Sequence, residues 1–433
     1  MKRKIFGRYI LGHSKSFLFF LTVNPEPLDC GRTYFNCRMD RYYTQTRPRI
    51  VEYCGGDSGS GSDWDSEFVV CGLDQDRRFC FMGNSELDAI LDMGADVYRS
   101  LWSRQGSLFF LDLEYINKRD AEDIYRNGRH IFKTHLEPVY QQLCGFLEAC
   151  NLRFLTVMTA TGYHFVFAVP FASPAHKRLE RLGSPCHELL EQYARVYARG
   201  HRRRPVSAAC ANAFDGLGRL AEFLAKRLNT RQEVPVEAGL LHPRQIVLDL
   251  STYADPLHLR FLRCVGSYHQ KSSLRRYATC IRRQPQGQNH FLRELLRLYD
   301  SPNKAADMIS STPATIPEAG EGLHGLLTLY EQSKLCRHHR DFDAYQPAAD
   351  ELRTAKRLLQ DASDQELAAD SGLKRAVLEG RRQEIHPAAI GKAVGERLEQ
   401  GHWTSPIMAW ANEQEDGYNP YSRALFWARV YGT

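Results

Sequence analysis

The sequence predicts an α/β (α+β) fold followed by a small all-helical region. Two observations support this prediction. Short β-rich runs alternate with stretches of helical periodicity up to about residue 284, and strand signals then disappear. We therefore expect a first domain over residues 1–285, a Pro-, Ser- and Thr-containing linker over 286–322, and a helical domain over 323–433.

The composition is that of a soluble globular protein. Of the 433 residues, 43% are hydrophobic and 25% are charged, and the net charge is +6. That small positive surplus suits a polyanionic partner. No run approaches the roughly 20 apolar residues of a membrane span, and residues 17–23 end at Asn24-Pro25 without a cleavage pattern. We expect a cytoplasmic protein with no membrane partner.

The 12 cysteines include no CxxC pair, and a chain of this size does not need disulfides. Reduced thiols are therefore expected. A zinc site is the less favoured alternative, because the spacings of the N-terminal cysteines match no metal motif. Those cysteines are Cys30, Cys37, Cys54, Cys71 and Cys80.

The first elements lead up to an acidic strand. Residues 1–54 predict strands and loops, and the Gly-, Ser- and Asp-rich stretch at 54–66 predicts a flexible loop. Runs at 68–71 and 78–82 predict strands. Ser85 is a suitable N-cap, and the apolar spacing that follows it predicts a helix over 86–101.

Helices and strands continue to alternate after the acidic strand. Residues 120–150 have helical periodicity interrupted near Pro138, and β-rich runs at 152–159 and 163–169 predict a hairpin. Helices are predicted over 185–199 and 214–228, followed by a strand over 245–250. The tail has two interpretations. One is a helix-turn-helix formed by residues 365–382 and the helix after Pro387, and the other is an ordinary helical bundle.

The acidic strand itself, residues 107–116, sets Asp112 and Glu114 into a run of Phe and Leu. On a strand, residues i and i+2 share a face, so both carboxylates leave the sheet on the side opposite Leu111 and Leu113. Like charges about 7 Å apart beside an apolar sheet repel each other. Mg²⁺ or Mn²⁺ would relieve this repulsion, because these ions prefer oxygen ligands. The alternative is an acidic strand end in solvent.

Two further strands carry candidate groups. His164 follows the Thr159–Gly162 turn and can donate a hydrogen bond to a phosphate oxygen, beside a glycine that lets a ligand approach the backbone. The alternative is a satisfied core histidine. Asp249 ends an apolar strand and supplies the third carboxylate that a two-metal site needs, unless it is a cap or turn residue.

The last candidate segment follows Asp249 in the chain. It places four phosphate-binding side chains around one glycine, namely Arg263, Ser267, His269 and Lys271. The alternative is a solvated basic loop.

In this order, the four segments resemble the motifs of the archaeo-eukaryotic primase superfamily, which includes the primase-polymerases. The resemblance covers residues 100–275 and implies a catalytic domain with an RRM-like mixed sheet. It implies that Asp112, Glu114 and Asp249 are catalytic and bind two Mg²⁺ or Mn²⁺ ions. Two positions depart from the family pattern: Thr159-Ala160 replaces Ser-Gly, and Glu114 replaces the more frequent Asp.

The resemblance also implies nucleotide-binding residues and an activity. Contacts with the triphosphate would come from His164 and Thr159, and from members of the set Arg263, Ser267, His269 and Lys271. The implied activity is that of a DNA primase or polymerase, which transfers nucleotides from dNTPs or NTPs on a single-stranded or primed template. A helicase or other replication protein is a plausible partner of such an enzyme.

Clustered arginines are candidates for contacts with the template backbone. They are Arg202, Arg203, Arg204, Arg275 and Arg276. Solvated surface charge is the alternative for each of them.

Two other functions fit part of this pattern. A 3′–5′ exonuclease of the ribonuclease-H-like fold also opens with Asp-x-Glu on a strand, although it gives no reason for the His164 and His269 segments. A replication-associated nucleic-acid-binding protein would keep the fold without catalysis.

Overall fold

A computed structural model of the chain describes residues 41–57, 64–66, 69–73, 78–82, 84–101, 103–117, 119–185, 190, 194, 197–198, 201–202, 206–228, 234–237, 244–254, 261–270, 275–285 and 290–340. The apolar run at 17–23 and the tail helices predicted after residue 340, including the helix-turn-helix, lie outside these ranges. Most of the helix predicted over 185–199 also lies outside them.

The strands in these ranges are β1 (Val69–Leu73), β2 (Arg78–Met82), β3 (Asp96–Arg99), β4 (Gly106–Asn117), β5 (Leu155–Met158), β6 (Gly162–Pro170), β7 (Tyr197–Ala198), β8 (His201–Arg202), β9 (Val236–Glu237), β10 (Arg244–Asp249), β11 (Leu262–Arg263), β12 (Tyr268–His269), β13 (Tyr277–Ala278) and β14 (Cys280–Arg283). The predicted hairpin and the strand that ends at Asp249 are confirmed.

The α-helices with bounds in the described ranges are α1 (Arg41–Tyr53), α2 (Leu87–Asp92), α3 (Asp123–Ile131), α4 (Glu137–Ala149), α5 (Pro174–Leu182), α6 (Ala208–Arg227), α7 (Ser251–Ala254), α8 (Leu292–Leu298), α9 (Pro302–Ser311), α10 (Gly322–Glu331) and α11 (Lys334–Arg340). A π-helix over Phe132–Leu136 joins α3 to α4, so the predicted interruption precedes Pro138, which lies in the first turn of α4.

The main sheet has the strand order β14-β5-β6-β4-β10-β9. Its first five strands pair antiparallel, and the short β9 pairs parallel with β10. A second sheet has the order β11-β3-β1-β2. The fold is therefore mixed α/β, of the α+β kind, as the sequence predicts. No helix within the described ranges is long and apolar enough to cross a membrane.

One face of the main sheet is closed by helices. Leu111, Leu113 and Tyr163 are fully buried on this face. The Tyr163 ring lies 5.4 Å from the Phe132 ring of the π-helix and 4.4 Å from the Tyr140 ring of α4, measured between centroids. Because side chains alternate along a strand, packing on this face directs the alternate residues of β4 to the other face.

The helix predicted over 86–101 is wrong in its second half. Helix α2 ends at Asp92, and Gly94 adopts a φ of +65°, a left-handed conformation that glycine adopts without strain. The chain then enters β3, which pairs with β1 and β11. The strands that pair with β3 are not its neighbours in the sequence. A local helical pattern therefore carries no information about this pairing.

Residues 41–53 form helix α1 rather than the strands and loops predicted for this region. The 286–322 segment, which the sequence analysis assigns to a linker, contains α8 and α9. Helix α9 packs on α1: Ile309 is buried, Gln45 donates to Asp307 (3.0 Å), and Arg49 donates to the carbonyl of Ser310 (2.8 Å). Burial of one helix face against a neighbouring helix explains why Pro, Ser and Thr there do not produce an open loop.

Candidate active site

Three ionisable side chains lie in one row across three neighbouring strands. Asp112 of β4 lies directly opposite Asp249 of β10 on one side and directly opposite His164 of β6 on the other. Directly opposite residues on antiparallel strands project from the same face of the sheet. Asp112, Asp249 and His164 are distant in sequence, and strand pairing alone brings them together.

Glu114 extends this row by one step along β4. It projects to the same face as Asp112, and its strand partners are Val247 and Gly162. The Asp112 and Glu114 residues are both partly exposed, whereas Leu111 and Leu113 beside them are buried. The candidate carboxylates therefore lie on the face of β4 opposite its helix-covered side, where a ligand can reach them.

His164 is the most enclosed residue of this row. Its side chain is 9% exposed, and its Nε2 atom lies 3.7 Å from Oδ1 of Asp112, whose side chain is 19% exposed. The edge of the Phe110 ring meets the imidazole, with 5.0 Å between centroids. These contacts hold the imidazole ring next to a carboxylate.

The carboxylates suit hard cations in their chemistry and backbone spacing. Directly opposite Cβ atoms on antiparallel strands are about 4.5–5.5 Å apart, close enough for Asp112 and Asp249 to share an ion. Glu114 adds oxygen ligands about 7 Å along the strand. Among the residues that the structure describes, no group of three or more His, Cys, Asp or Glu side chains could hold a metal ion as they stand. What favours a cation at this row is the strand register, which sets Asp112 opposite Asp249.

The Thr159–Gly162 turn closes against the acidic strand. The Tyr115 amide donates to the carbonyl of Thr161 (3.0 Å), and the Thr159 amide donates to the carbonyl of Gly162 (2.9 Å). A Cβ atom on Gly162 would lie 1.8 Å from the carbonyl oxygen of Leu113. This glycine is therefore needed for the close approach of β6 to β4. That it also lets a ligand approach the backbone stays a prediction.

His269 joins the turn from a different part of the chain. The buried Ala160 amide donates to its Nδ1 atom over 3.4 Å, and the Tyr125 ring meets it edge-on at 6.3 Å. The segments around His164 and His269 are far apart in the sequence, and this hydrogen bond shows that they are in direct contact. Ala160, one of the departures from the family pattern, is the residue that makes this contact.

Two other predicted phosphate ligands serve the fold in this structure. The Arg263 guanidinium is buried and donates to Asp96, to the hydroxyl of Tyr98 and to the carbonyl of Tyr268. Burial lowers the pKa of Arg263, but the charge and hydrogen bond of Asp96, together with Tyr98 and Tyr125, outweigh this and hold the pKa above its ordinary value, so Arg263 stays charged. The buried Ser267 hydroxyl accepts from the Val97 amide (2.7 Å).

The remaining candidates are on the surface or outside the described ranges. Arg275 is exposed and lies 3.4 Å from Asp300, and the exposed Arg276 stacks over the ring of Tyr268 at 5.1 Å. The backbone of Arg202 lies in β8. Three candidates, Lys271, Arg203 and Arg204, lie outside the described residues.

Three of the five cysteines considered for zinc lie in the described residues; Cys30 and Cys37 do not. Cys71 lies opposite Cys80 on the β1–β2 pair. Cys54 is buried, with its Sγ atom 3.7 Å from that of Cys264.

Sequence reasoning missed Asp96 and Tyr125. Asp96 fell within the helix predicted over 86–101, and no local pattern indicated that it would face Arg263, 167 positions further along the chain. Tyr125 was one apolar position among many in a helical segment.

A scan against protein-family models finds no match for this chain, and a search of curated proteins finds none either.

Proposed function

We propose that this chain is a two-metal nucleotidyltransferase that extends or synthesises primers on a nucleic-acid template, in the manner of a primase-polymerase with an RRM-like sheet. The observation that carries the proposal is the row in which Asp112 lies between Asp249 and His164. An acidic row beside an imidazole suits phosphoryl transfer, which depends on holding and neutralising phosphates.

Each group in the row has a role in this proposal. Asp112, Glu114 and Asp249 would hold two Mg²⁺ or Mn²⁺ ions. When bound, such ions activate a sugar hydroxyl and neutralise charge on the triphosphate and on the departing pyrophosphate. His164 would donate a hydrogen bond to a phosphate oxygen of the incoming dNTP or NTP and orient it toward the carboxylates.

The Thr159–Gly162 turn and His269 would line the nucleotide side of the same site. Thr159 retains the hydroxyl that the family pattern has at this position, and the contact of His269 with the Ala160 amide places the imidazole next to the turn. The exposed arginines Arg275 and Arg276 are candidates for binding a single-stranded or primed template. The helical domain predicted over 323–433 would assist template engagement, and a helicase or other replication protein is a suitable partner.

The test is a primer-extension assay with labelled primed template, Mn²⁺ or Mg²⁺, and either dNTPs or NTPs. The proposal predicts longer primers with the wild-type chain, and none with Asp112→Ala, which should still bind the template. Asp307→Ala, which changes an exposed carboxylate of α9, is the matched control. Shortened primers would instead identify an exonuclease, and template binding without any product would identify a binding protein.

A further inference from the structure

Asp96, at the start of β3, is a buried carboxylate with several hydrogen-bond donors. Its Oδ2 atom accepts from the Arg263 guanidinium and from the backbone amide of Gln270 (3.3 Å). Its Oδ1 atom accepts from Nε2 of Gln270 (3.0 Å), which also donates to the carbonyl of Gly94 (2.8 Å). Asp96 therefore binds both ends of the 263–270 segment.

The middle of the 263–270 segment is fixed to the same strand and to α1. The Val97 amide donates to the Ser267 hydroxyl (2.7 Å), and the amide of Cys264 donates to the carbonyl of Val97 (3.0 Å). Thr46 donates to the carbonyl of Gly266 (3.0 Å). The segment is thus supported along its length, and Asp96 supplies the only carboxylate among these described contacts.

His269 is next to Gln270, which Asp96 binds, and contacts the nucleotide side of the proposed site. Its Nδ1 atom accepts from the Ala160 amide, and its neighbour Gln270 is bound through both backbone and side chain. A displacement of the segment by about 1 Å would break the 3.4 Å contact with Ala160. The contacts of Asp96 therefore act together with the pairing of His269 with Tyr277 on β13 to hold the imidazole in place.

We propose that Asp96 is a positioning residue for nucleotide binding: it fixes the 263–270 segment so that His269 stays against the Thr159–Gly162 turn. This inference rests on the proposed function, because it assigns that turn to the nucleotide side of the site. It also gives Arg263 a new role, as the counter-ion of Asp96 rather than a direct phosphate ligand.

The test compares wild-type protein with Asp96→Asn and Gln270→Ala in the full chain. Asp88→Asn, a change of an exposed carboxylate on α2, is the control. Binding of a fluorescent dNTP with Mn²⁺ gives the nucleotide Kd, a primer-extension assay gives KM and kcat, and anisotropy of a labelled template gives the DNA Kd. Hydrogen exchange of residues 159–164 and 261–270 reports whether the two segments loosen.

We expect Asp96→Asn to raise the nucleotide Kd and KM about tenfold, a loss of roughly 1.4 kcal/mol of binding, while kcat and the DNA Kd change less than about threefold. Gln270→Ala should act in the same direction by about threefold, because it removes the two side-chain hydrogen bonds of Gln270 and leaves the ion pair in place. In both variants, hydrogen exchange of residues 159–164 and 261–270 should be faster than in wild type.

A purely structural role would give a different result. Faster exchange with an unchanged nucleotide Kd would overturn the inference, as would a fall in kcat alone. If Asp96→Asn does not fold, Gln270→Ala decides: a nucleotide Kd equal to that of wild type overturns the inference. A wild-type chain that binds no nucleotide would overturn the proposed function and this inference together, whereas normal synthesis by wild type and both variants would overturn the inference alone.

Discussion

Asp112 and Asp249 lie directly opposite each other on neighbouring antiparallel strands. Like charges in this arrangement destabilise a sheet by a few tenths of a kcal/mol or more. The repulsion between the two carboxylates therefore opposes folding, and their position on the partly exposed face of β4 favours a functional role.

Substitution of Asp112 by Asn should reduce nucleotide incorporation by about 10²–10³-fold or more, because it removes a charged ligand from the site. The free energy of unfolding should stay the same or rise by up to about 1 kcal/mol, since the repulsion from Asp249 is relieved. Incorporation assays and urea denaturation measure the two effects. A large loss of stability would show instead that Asp112 is a structural residue.

Mn²⁺ should stabilise the folded chain through the carboxylate row. At ten times the Kd of the ion, binding to the folded state alone adds about 1.4 kcal/mol to the free energy of unfolding, and EDTA should reverse it. The measurement is thermal unfolding during a Mn²⁺ titration. The double variant Asp112→Asn, Asp249→Asn should lose the effect, and equal stabilisation in this variant would place the ion elsewhere.

Substitution of Arg263 by Met should destabilise the fold by about 3–5 kcal/mol, because Asp96 would remain buried without its counter-ion. Arg126→Met, which removes an exposed ion pair with Asp120, should cost no more than about 1 kcal/mol. Urea denaturation measures both values. If the two variants are equally stable, the contacts of Arg263 do not support the fold.

Gly162→Ala should destabilise the sheet by about 1–3 kcal/mol or more, because the added methyl group would overlap the carbonyl of Leu113. Gly145→Ala is the matched control in α4, where a new Cβ atom meets nothing within 4 Å. That substitution should stabilise the helix by up to about 1 kcal/mol. Thermal unfolding of both variants gives the comparison, and equal stability would contradict the close approach of β6 to β4.

Acid should weaken the docking of the 290–312 region through His290. Burial, with a further contribution from Arg282, lowers the pKa of His290 from its ordinary 6.5, and its Nε2 atom lies 3.1 Å from the hydroxyl of Thr312. His290 therefore binds a proton more readily in the unfolded chain than in the folded one. The contribution of neutral His290 to the free energy of unfolding is complete above pH 6.5, and it is lost as the pH falls through the lower folded-state pKa. His290→Gln should lose less stability than wild type between pH 7 and pH 5 in urea denaturation. Equal losses would show that His290 does not contribute.

The sequence predicts the central part of the sheet well because its strands are long and apolar. The acidic strand, the hairpin and the strand that ends at Asp249 all have strong local patterns. The register of these strands cannot be predicted from local patterns, since it depends on which strands are neighbours in the sheet. That Asp112 lies opposite both Asp249 and His164 could be hypothesised from motif order, but only the strand pairing establishes it.

The supporting structure around the site could not be predicted for the same reason. Arg263 looks like a phosphate ligand in isolation, and its partner Asp96 is 167 positions away inside a segment with helical periodicity. The turn at Gly94, which ends α2 before β3, depends on a left-handed conformation that other residues of the segment would resist. Buried ion pairs between distant segments leave no periodic signal in the sequence.

The most direct test of the two-metal proposal is single-nucleotide incorporation by wild-type protein and by Asp249→Asn, on a primed template with Mn²⁺. Asp249 is far from Asp112 and Glu114 in the sequence, and only strand pairing brings it to them. The proposal predicts incorporation by wild type and a loss of about 10²–10³-fold in the variant, with template binding retained. Wild-type rates in Asp249→Asn would contradict it.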